Sequence, residues 1–202
     1  DTWRIFRIMS ESVEGFEVLS QAGRAVSIFG SSRAKPGTKY YKSAEEIAYL
    51  LAKEGYAVIT GSGPGLMEAA NKGTRRAKGK SIGLNIQIPS QQKPNKYVDL
   101  LLDFRYFFVR KVLLLKYSYA FIILPGGWGT MDEMFETLTL AQTKVMHNFP
   151  VVLIGTEYYS PLMDYLHFME RQGTISPEDL KLVLLTDDVT EAMDHVQKYI
   201  EK

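Results

Sequence analysis

Seven short apolar runs, none longer than six residues, recur along the chain with room for a helix between most neighbouring pairs. This spacing restricts the fold more than any other feature. The runs are Ala25–Phe29, Ala57–Thr60, Ser81–Ile86, Val98–Asp103, Ala120–Leu124, Pro150–Ile154 and Leu182–Thr186. Their Val, Ile and Leu residues are continuous rather than alternating, which suits strands buried on both faces of a parallel sheet. Helix-like stretches lie between them at Lys39–Glu54, Gly65–Lys78, Phe107–Tyr117, Thr130–Lys144, Ser160–Gln172 and Val189–Ile200. Such alternation predicts an α/β class with a doubly wound, mainly parallel sheet and helices on both faces. Residues 1–21 read as an extra N-terminal helix, with Trp3, Phe6, Met9, Val13, Phe16 and Leu19 at helical intervals. That apolar face is expected to close one side of the sheet or to dock on a partner. No repeat and no long linker interrupts the pattern, so residues 1–202 are read as one domain. The most loop-like segment is Pro89–Lys96, with two prolines among polar residues.

A chain of 202 residues that is 46% hydrophobic can bury a substantial core. Lys and Arg number 24 against 23 Asp and Glu, a net charge of +1. The broad basic footprint of a duplex-DNA binder is missing, so no nucleic-acid partner is expected. With no cysteine, disulfides, thiolate metal sites and a cysteine nucleophile are excluded. His147, His167 and His195 stand far apart without ligand-like spacing, so no metal is expected. No run approaches the roughly 18 apolar residues that span a bilayer, and no membrane partner is expected. A cytoplasmic location fits these features. The sequence starts at Asp1 rather than Met, as a trimmed chain does, and an upstream targeting peptide is left open.

Chemistry concentrates in three turns that each follow a strand. They read Phe29-Gly30-Ser31-Ser32-Arg33, Thr60-Gly61-Ser62-Gly63-Pro64-Gly65 and Leu124-Pro125-Gly126-Gly127-Trp128-Gly129-Thr130. In a parallel sheet all three fall at the carboxyl ends of the strands, where open α/β folds bind ligands. Glycine lets backbone N–H groups approach an anion, and the following helix adds its positive end. Pro64 is placed as a first-turn proline. The ligand is not expected to be a dinucleotide, because Leu66 stands where G-x-G-x-x-G needs its last glycine. Nor is there a G-x-x-x-x-G-K-[S/T] motif. The turns look shaped for a single phosphate group.

The third turn leads into a helix on which Thr130, Glu133, Glu136 and Thr137 share a face, with Asp132 about 100° away. Thr130 and Glu133 have the spacing of a capping box, and the glutamates complement the helix dipole. A carboxylate at this helix mouth is also placed for acid–base work. Upstream, Arg110 and Lys111 open another helix from the same sheet edge, Arg110 being the better anion ligand for its planar fork.

Pro125-Gly-Gly-Trp-Gly-Thr-Met-Asp-Glu133 resembles P-G-G-x-G-T-x-x-E, the signature of the Lonely Guy (LOG) family. Arg110-Lys111 is similar to that family's upstream R-K pair. The run from Gly61 to Asn71 resembles its phosphate-side loop, and Gly30-Ser31-Ser32 its first-strand turn. The resemblance extends from about Ala25 to Tyr199 and implies a Rossmann-like fold. It also implies phosphoribohydrolase activity on a nucleoside 5′-monophosphate, AMP or a cytokinin riboside monophosphate, without a cofactor. By position, Arg110 and Glu133 would be the catalytic pair. Gly126, Gly127, Gly129 and Thr130 would hold the phosphate, with Lys111, Glu136, Ser31, Gly63, Gly65 and Met67 as further substrate contacts. The long leading helix, the Gly-Ser-Gly-Pro-Gly loop and the Pro89–Lys96 segment look closer to the longer bacterial members than to the short plant type. Family members resemble dimers with the pocket near the interface, and the apolar content of the leading helix and of Phe135–Met146 fits a homodimer or higher homo-oligomer.

Many members carry the label lysine decarboxylase, a chemistry that needs pyridoxal phosphate on a lysine. The chain has no Ser-x-His-Lys and is short for such an enzyme. The more serious alternative is a non-catalytic nucleotide-binding module, because fold does not fix function. Retention of Arg110 and Glu133 argues against it, since a binder needs the glycine turns but not the carboxylate.

Overall fold

The structure is a computed structural model that describes residues 2–89, 93–143 and 149–200. Its centre is a seven-stranded sheet of β1 (Ala25–Phe29), β2 (Ala57–Thr60), β3 (Ser81–Ile86), β4 (Leu100–Phe104), β5 (Ser118–Ile123), β6 (Val151–Ile154) and β7 (Val183–Thr186). The order is β4-β3-β2-β1-β5-β6-β7, and every pairing is parallel. The predicted α/β class and doubly wound sheet are therefore observed, with a sheet that is wholly rather than mainly parallel. The order reverses between β1 and β5, and the crevice at such a switch point is where this architecture takes ligands.

Side chains from the two faces of the sheet feed two separate cores, with β3 and β4 contributing to only one of them. Phe29, Ile59, Leu84, Phe121 and Leu153 face one core, covered by α1 (Thr2–Leu19), α4 (Phe107–Lys116), α5 (Trp128–Gln142) and α6 (Thr156–Arg171). Val26, Ile28, Val58, Ile122 and Val152 face the other, covered by α2 (Lys39–Lys53), α3 (Leu66–Arg76) and α8 (Val189–Ile200). No helix among the described residues is long and apolar enough to cross a membrane.

The apolar stripe expected to seat α1 mostly points away from the sheet. Trp3, Phe6, Met9 and Val13 are more than half exposed, and only Leu19 of the predicted set is buried. The seated face holds Ile8, Gly15 and Leu19 instead, because Gly15 lets Leu113 of α4 approach to where a Cβ would clash at 2.2 Å. Other boundaries also shift. Helix α3 starts at Leu66, with Gly65 (φ 71°) as its N-cap, so Pro64 precedes the helix rather than opening it. Helix α6 begins at Thr156, four residues before the predicted start, and holds Pro161 inside. There the Asp187 carboxylate accepts both the N–H and the hydroxyl of Thr156, a cap supplied from the β7–α8 turn. A short helix, α7 (Pro177–Leu180), has no counterpart in the sequence reading. The predicted end of α5 at Lys144 and the histidine His147 lie outside the described residues.

Candidate active site

The three glycine-bearing turns converge. Between them lies a cavity of about 580 Å³ at the carboxyl ends of β1, β2, β3 and β5, within the size range of small-ligand sites. Residues 30–33 form one wall, and Gly61 with Met67 a second. Residues 127–130 and Glu133 of α5 form the third, while Phe107, Arg110 and Leu114 of α4 close the fourth. Ile86 and Ile88 make one end apolar.

Local packing explains how the turns come so close. A Cβ on Gly65 would lie 2.4 Å from the Ser31 carbonyl oxygen, so only glycine lets the second turn lie against the first. The Leu66 N–H donates to that same oxygen at 3.0 Å, and the Ser31 N–H donates to the Pro125 carbonyl at 3.0 Å. The second turn is held from behind by a buried polar network. Thr60 Oγ1 bonds Asn71 Oδ1 (2.8 Å), Asn71 Nδ2 bonds Ser81 Oγ (2.9 Å), and Asn95 Nδ2 reaches the Ser62 and Gly63 carbonyls.

Of the residues singled out from sequence, Ser31, Met67, Arg110, Gly127, Gly129, Thr130 and Glu133 line the cavity. Gly63, Gly65 and Gly126 do not, and shape the turns instead. Lys111 and Glu136 also lie off the lining, where Lys111 Nζ pairs with Glu136 at 2.7 Å and with Asp132 at 2.9 Å. The expected capping box is likewise replaced. Helix α5 starts two residues early, with Gly127 as N-cap and no side-chain cap bond, and Thr130 donates its N–H to the Gly127 carbonyl. Glu133 therefore stands in the second turn, buried rather than reaching back to the helix start. Sequence reasoning did not single out Arg33, Phe107 or Trp128 as ligand contacts, although Arg33 and Trp128 stand within turns already noted and Phe107 opens the helix of Arg110. It also missed Asn95 and Tyr158, whose hydroxyl donates to the Gly126 carbonyl at 2.6 Å.

Glu133 and Arg110 face each other in the cavity wall. Their closest atoms are 3.6 Å apart, too far for a hydrogen bond, with side chains 5% and 13% exposed. Glu133 Oε2 and Arg110 Nε are both buried without a hydrogen-bond partner. Burial pushes the Glu133 carboxyl up from 4.5 to about 7, against the opposing pull of Arg110 and Lys111. Burial likewise pulls Arg110 below its ordinary value, with Glu133 and Asp132 opposing. Arg110 also lies over the Phe107 ring at 5.3 Å. At neutral pH the Glu133 carboxyl is thus poised between its protonated and charged forms, the condition for proton transfer.

Fold and site together define a doubly wound α/β domain with a glycine-turn pocket and a buried acid–guanidinium pair at its switch point. Residues 67–196 match the family described as "possible lysine decarboxylase", so the chain belongs to that family, the Lonely Guy (LOG) family. The chain is 29% identical to the cytokinin riboside 5′-monophosphate phosphoribohydrolase of Rhodococcoides fascians, over 84% of this chain and 87% of that one. It is 27% identical to an Arabidopsis thaliana enzyme of the same name, over 89% and 85%. Among solved structures, the molybdenum cofactor binding protein from Rippkaea orientalis matches with a TM-score of 0.66 at 22% identity, over 88% and 97% of the two chains. The molybdenum cofactor carrier protein of Chlamydomonas reinhardtii matches at 0.63 and 24%, over 89% and 99%. These structural likenesses define the fold.

The raised Glu133 pKa carries a stability consequence. Between pH 4.5 and 7 the folded chain holds a proton that the unfolded chain releases, so the cost of the buried charge grows through that window. It is present in full above pH 7 and relieved as pH falls toward 4.5. Glu133→Gln, which cannot ionise, is expected to stabilise the fold by about 3 kcal/mol at pH 8 and by less than about 1 kcal/mol at pH 5. Urea denaturation of both proteins at the two pH values measures this. An equal difference at both would place the titration elsewhere.

Proposed function

We propose that this chain hydrolyses the N-glycosidic bond of a nucleoside 5′-monophosphate, releasing the free base and ribose 5-phosphate. The carrying observation is Glu133, a buried carboxyl with an unpartnered oxygen, brought near neutrality and set in the wall of a cavity that also holds a glycine turn. The names of the relatives support the same reaction class.

In this reading the phosphate sits against the start of α5, where the N–H groups of the helix's first turn and the helix dipole favour an anion. Glu133 lies farther along the same helix, so the ribose extends from the phosphate toward its carboxylate. As the C1′–N bond breaks, its electrons leave with the base, which takes up a proton, and positive charge develops on the ribose ring. The Glu133 carboxylate steadies that charge and takes a proton from the attacking water, whose oxygen bonds C1′. Arg110 beside it balances charge and can anchor the substrate. Ile86, Ile88, Leu114 and Phe107 offer an apolar end suited to the base. AMP is the simplest substrate that fits, and a cytokinin riboside monophosphate is its larger relative.

Two variants test the assignment. Glu133→Gln should lower turnover of AMP by about 10²–10⁴, the range of a positioned acid–base group. The parent's kcat/KM should fall about tenfold per pH unit below about pH 7, where Glu133 becomes protonated. Asp132→Asn, which breaks the outer pair with Lys111 and removes a charge that acts only secondarily on Arg110 and Glu133, should retain most activity. Near-parental turnover by folded Glu133→Gln removes the assignment. AMP binding without release of base or ribose 5-phosphate by the parent chain favours a binding module.

Gly129→Ala probes the phosphate. A Cβ there meets no protein atom within 4 Å, and alanine suits a helix better than glycine by about 0.5–1 kcal/mol. Thermal stability should hold or rise while KM for AMP rises by roughly tenfold, the worth of a hydrogen bond to a charged group. Inhibition by adenosine, which lacks the phosphate, should not change.

We further propose a homo-oligomer. Trp3, Phe6, Met9 and Val13 of α1 are exposed, and so are Phe108 and Val112 of α4, which packs beside α1. That much apolar surface favours self-association. Sedimentation should show a dimer or larger at micromolar concentration, and Phe6→Glu with Val112→Glu should dissociate it.

A further inference from the structure

The turn before α5 is fixed one peptide plane at a time, each through its carbonyl. The Pro125 carbonyl accepts the Ser31 N–H at 3.0 Å. The Gly126 carbonyl accepts the Tyr158 hydroxyl at 2.6 Å. The Gly127 carbonyl accepts the N–H groups of Thr130 and Met131, each at 3.0 Å. In a trans peptide the carbonyl and the following N–H point in opposite directions. Anchoring the Gly126 oxygen on Tyr158 therefore sets the direction of the Gly127 N–H, and Gly127 is a cavity-lining residue.

Resting on the nucleotide reading above, we propose that Tyr158 is a positioning residue for phosphate binding. Its hydroxyl holds the Gly126–Gly127 peptide so that the Gly127 N–H is presented to the phosphate. Tyr158 does not line the cavity and reaches the turn from α6, on the far side of the Gly126 carbonyl. It is 44% exposed, so its ring can remain in place when the hydroxyl is removed.

The neighbouring residue supplies a control. Tyr159 makes the same kind of bond two peptide planes earlier in the turn, donating to the Leu124 carbonyl at 3.0 Å. The peptide that follows Leu124 belongs to Pro125, which has no N–H to orient. Tyr159 is also fully buried, so loss of its hydroxyl should register as stability. The two tyrosines pack edge to face, with centroids 4.9 Å apart. They differ chiefly in whether the carbonyl they hold is coupled to a donor in the turn.

The experiment compares Tyr158→Phe and Tyr159→Phe in the full chain. Binding of ribose 5-phosphate, AMP and adenosine is measured by calorimetry, with AMP turnover and thermal stability alongside. For Tyr158→Phe, the dissociation constants for ribose 5-phosphate and AMP should rise by roughly 3- to 10-fold, the worth of one hydrogen bond. Adenosine affinity and kcat should stay near parental, so the loss appears in KM. For Tyr159→Phe, stability should fall while the preference for AMP over adenosine is kept. Equal weakening of AMP and adenosine by Tyr158→Phe, or no change in either, overturns the positioning role and leaves the nucleotide reading intact. Failure of the parent chain to bind ribose 5-phosphate or AMP overturns both.

Discussion

A carboxyl group 5% exposed, with one oxygen lacking any hydrogen-bond partner, is costly to keep inside a protein. Most of what surrounds the switch point serves to keep Glu133 in that condition. Helix α5 holds it from one side, and Arg110 on α4 faces it at 3.6 Å. That separation attracts without saturating either group. A tight bidentate pair would hold the carboxyl in the ordinary acidic range and occupy both of its oxygens. Burial instead dominates and brings the group to about 7. Lys111, next to Arg110 in sequence, is engaged by Asp132 and Glu136 on the outer side of α5. The basic pair is thereby divided: one cation faces the cavity and the other fastens α4 to α5.

The glycines around this centre serve different ends, and the difference bears on what the cavity can hold. At Gly30, Gly65 and Gly126 a Cβ would press on Leu66, on the first turn's backbone and on Thr130, respectively. Packing requires these glycines, and at Gly65 the left-handed backbone does so as well. At Gly127 and Gly129 a Cβ would meet nothing within 4 Å, and neither has a left-handed backbone. The fold would accept alanine at both, and in the helix would gain from it. Glycine there has a natural explanation in the close approach of an anion to the backbone at a helix start.

Much of the fold was legible because strands buried on both faces leave continuous apolar runs, and the alternation with helices left few architectures to choose from. Boundaries were less legible where a distant residue set them. Helix α6 begins at Thr156 because Asp187, far along the chain, caps it. Helix α1 turns a different face inward because Gly15 admits α4. The site was legible wherever a single turn carried it, as at residues 125–133. Thr130 and Glu133 had capping-box spacing, but Gly127 begins the helix, so the same residues instead face the cavity.

What spacing could not supply is the way separate segments hold each other. The stretch from Pro89 to Lys96 read as an exposed connection, yet Asn95 turns inward to bond the carbonyls of Ser62 and Gly63 and the amide oxygen of Asn71. Ser62 is buried there with φ at 60°, a backbone conformation a non-glycine residue keeps only when its surroundings impose it. The Thr60 hydroxyl on its N–H and Asn95 on its carbonyl supply that constraint from both sides. The same device recurs at the third turn, where Tyr158 and Ser31 seize successive carbonyls. In each case an uncharged donor from another part of the chain grips a backbone oxygen behind the turn. The face toward the cavity then carries the glycine turns beside the Glu133–Arg110 pair, an arrangement that suits the proposed nucleotide, with negative charge at its phosphate and positive charge developing at its ribose.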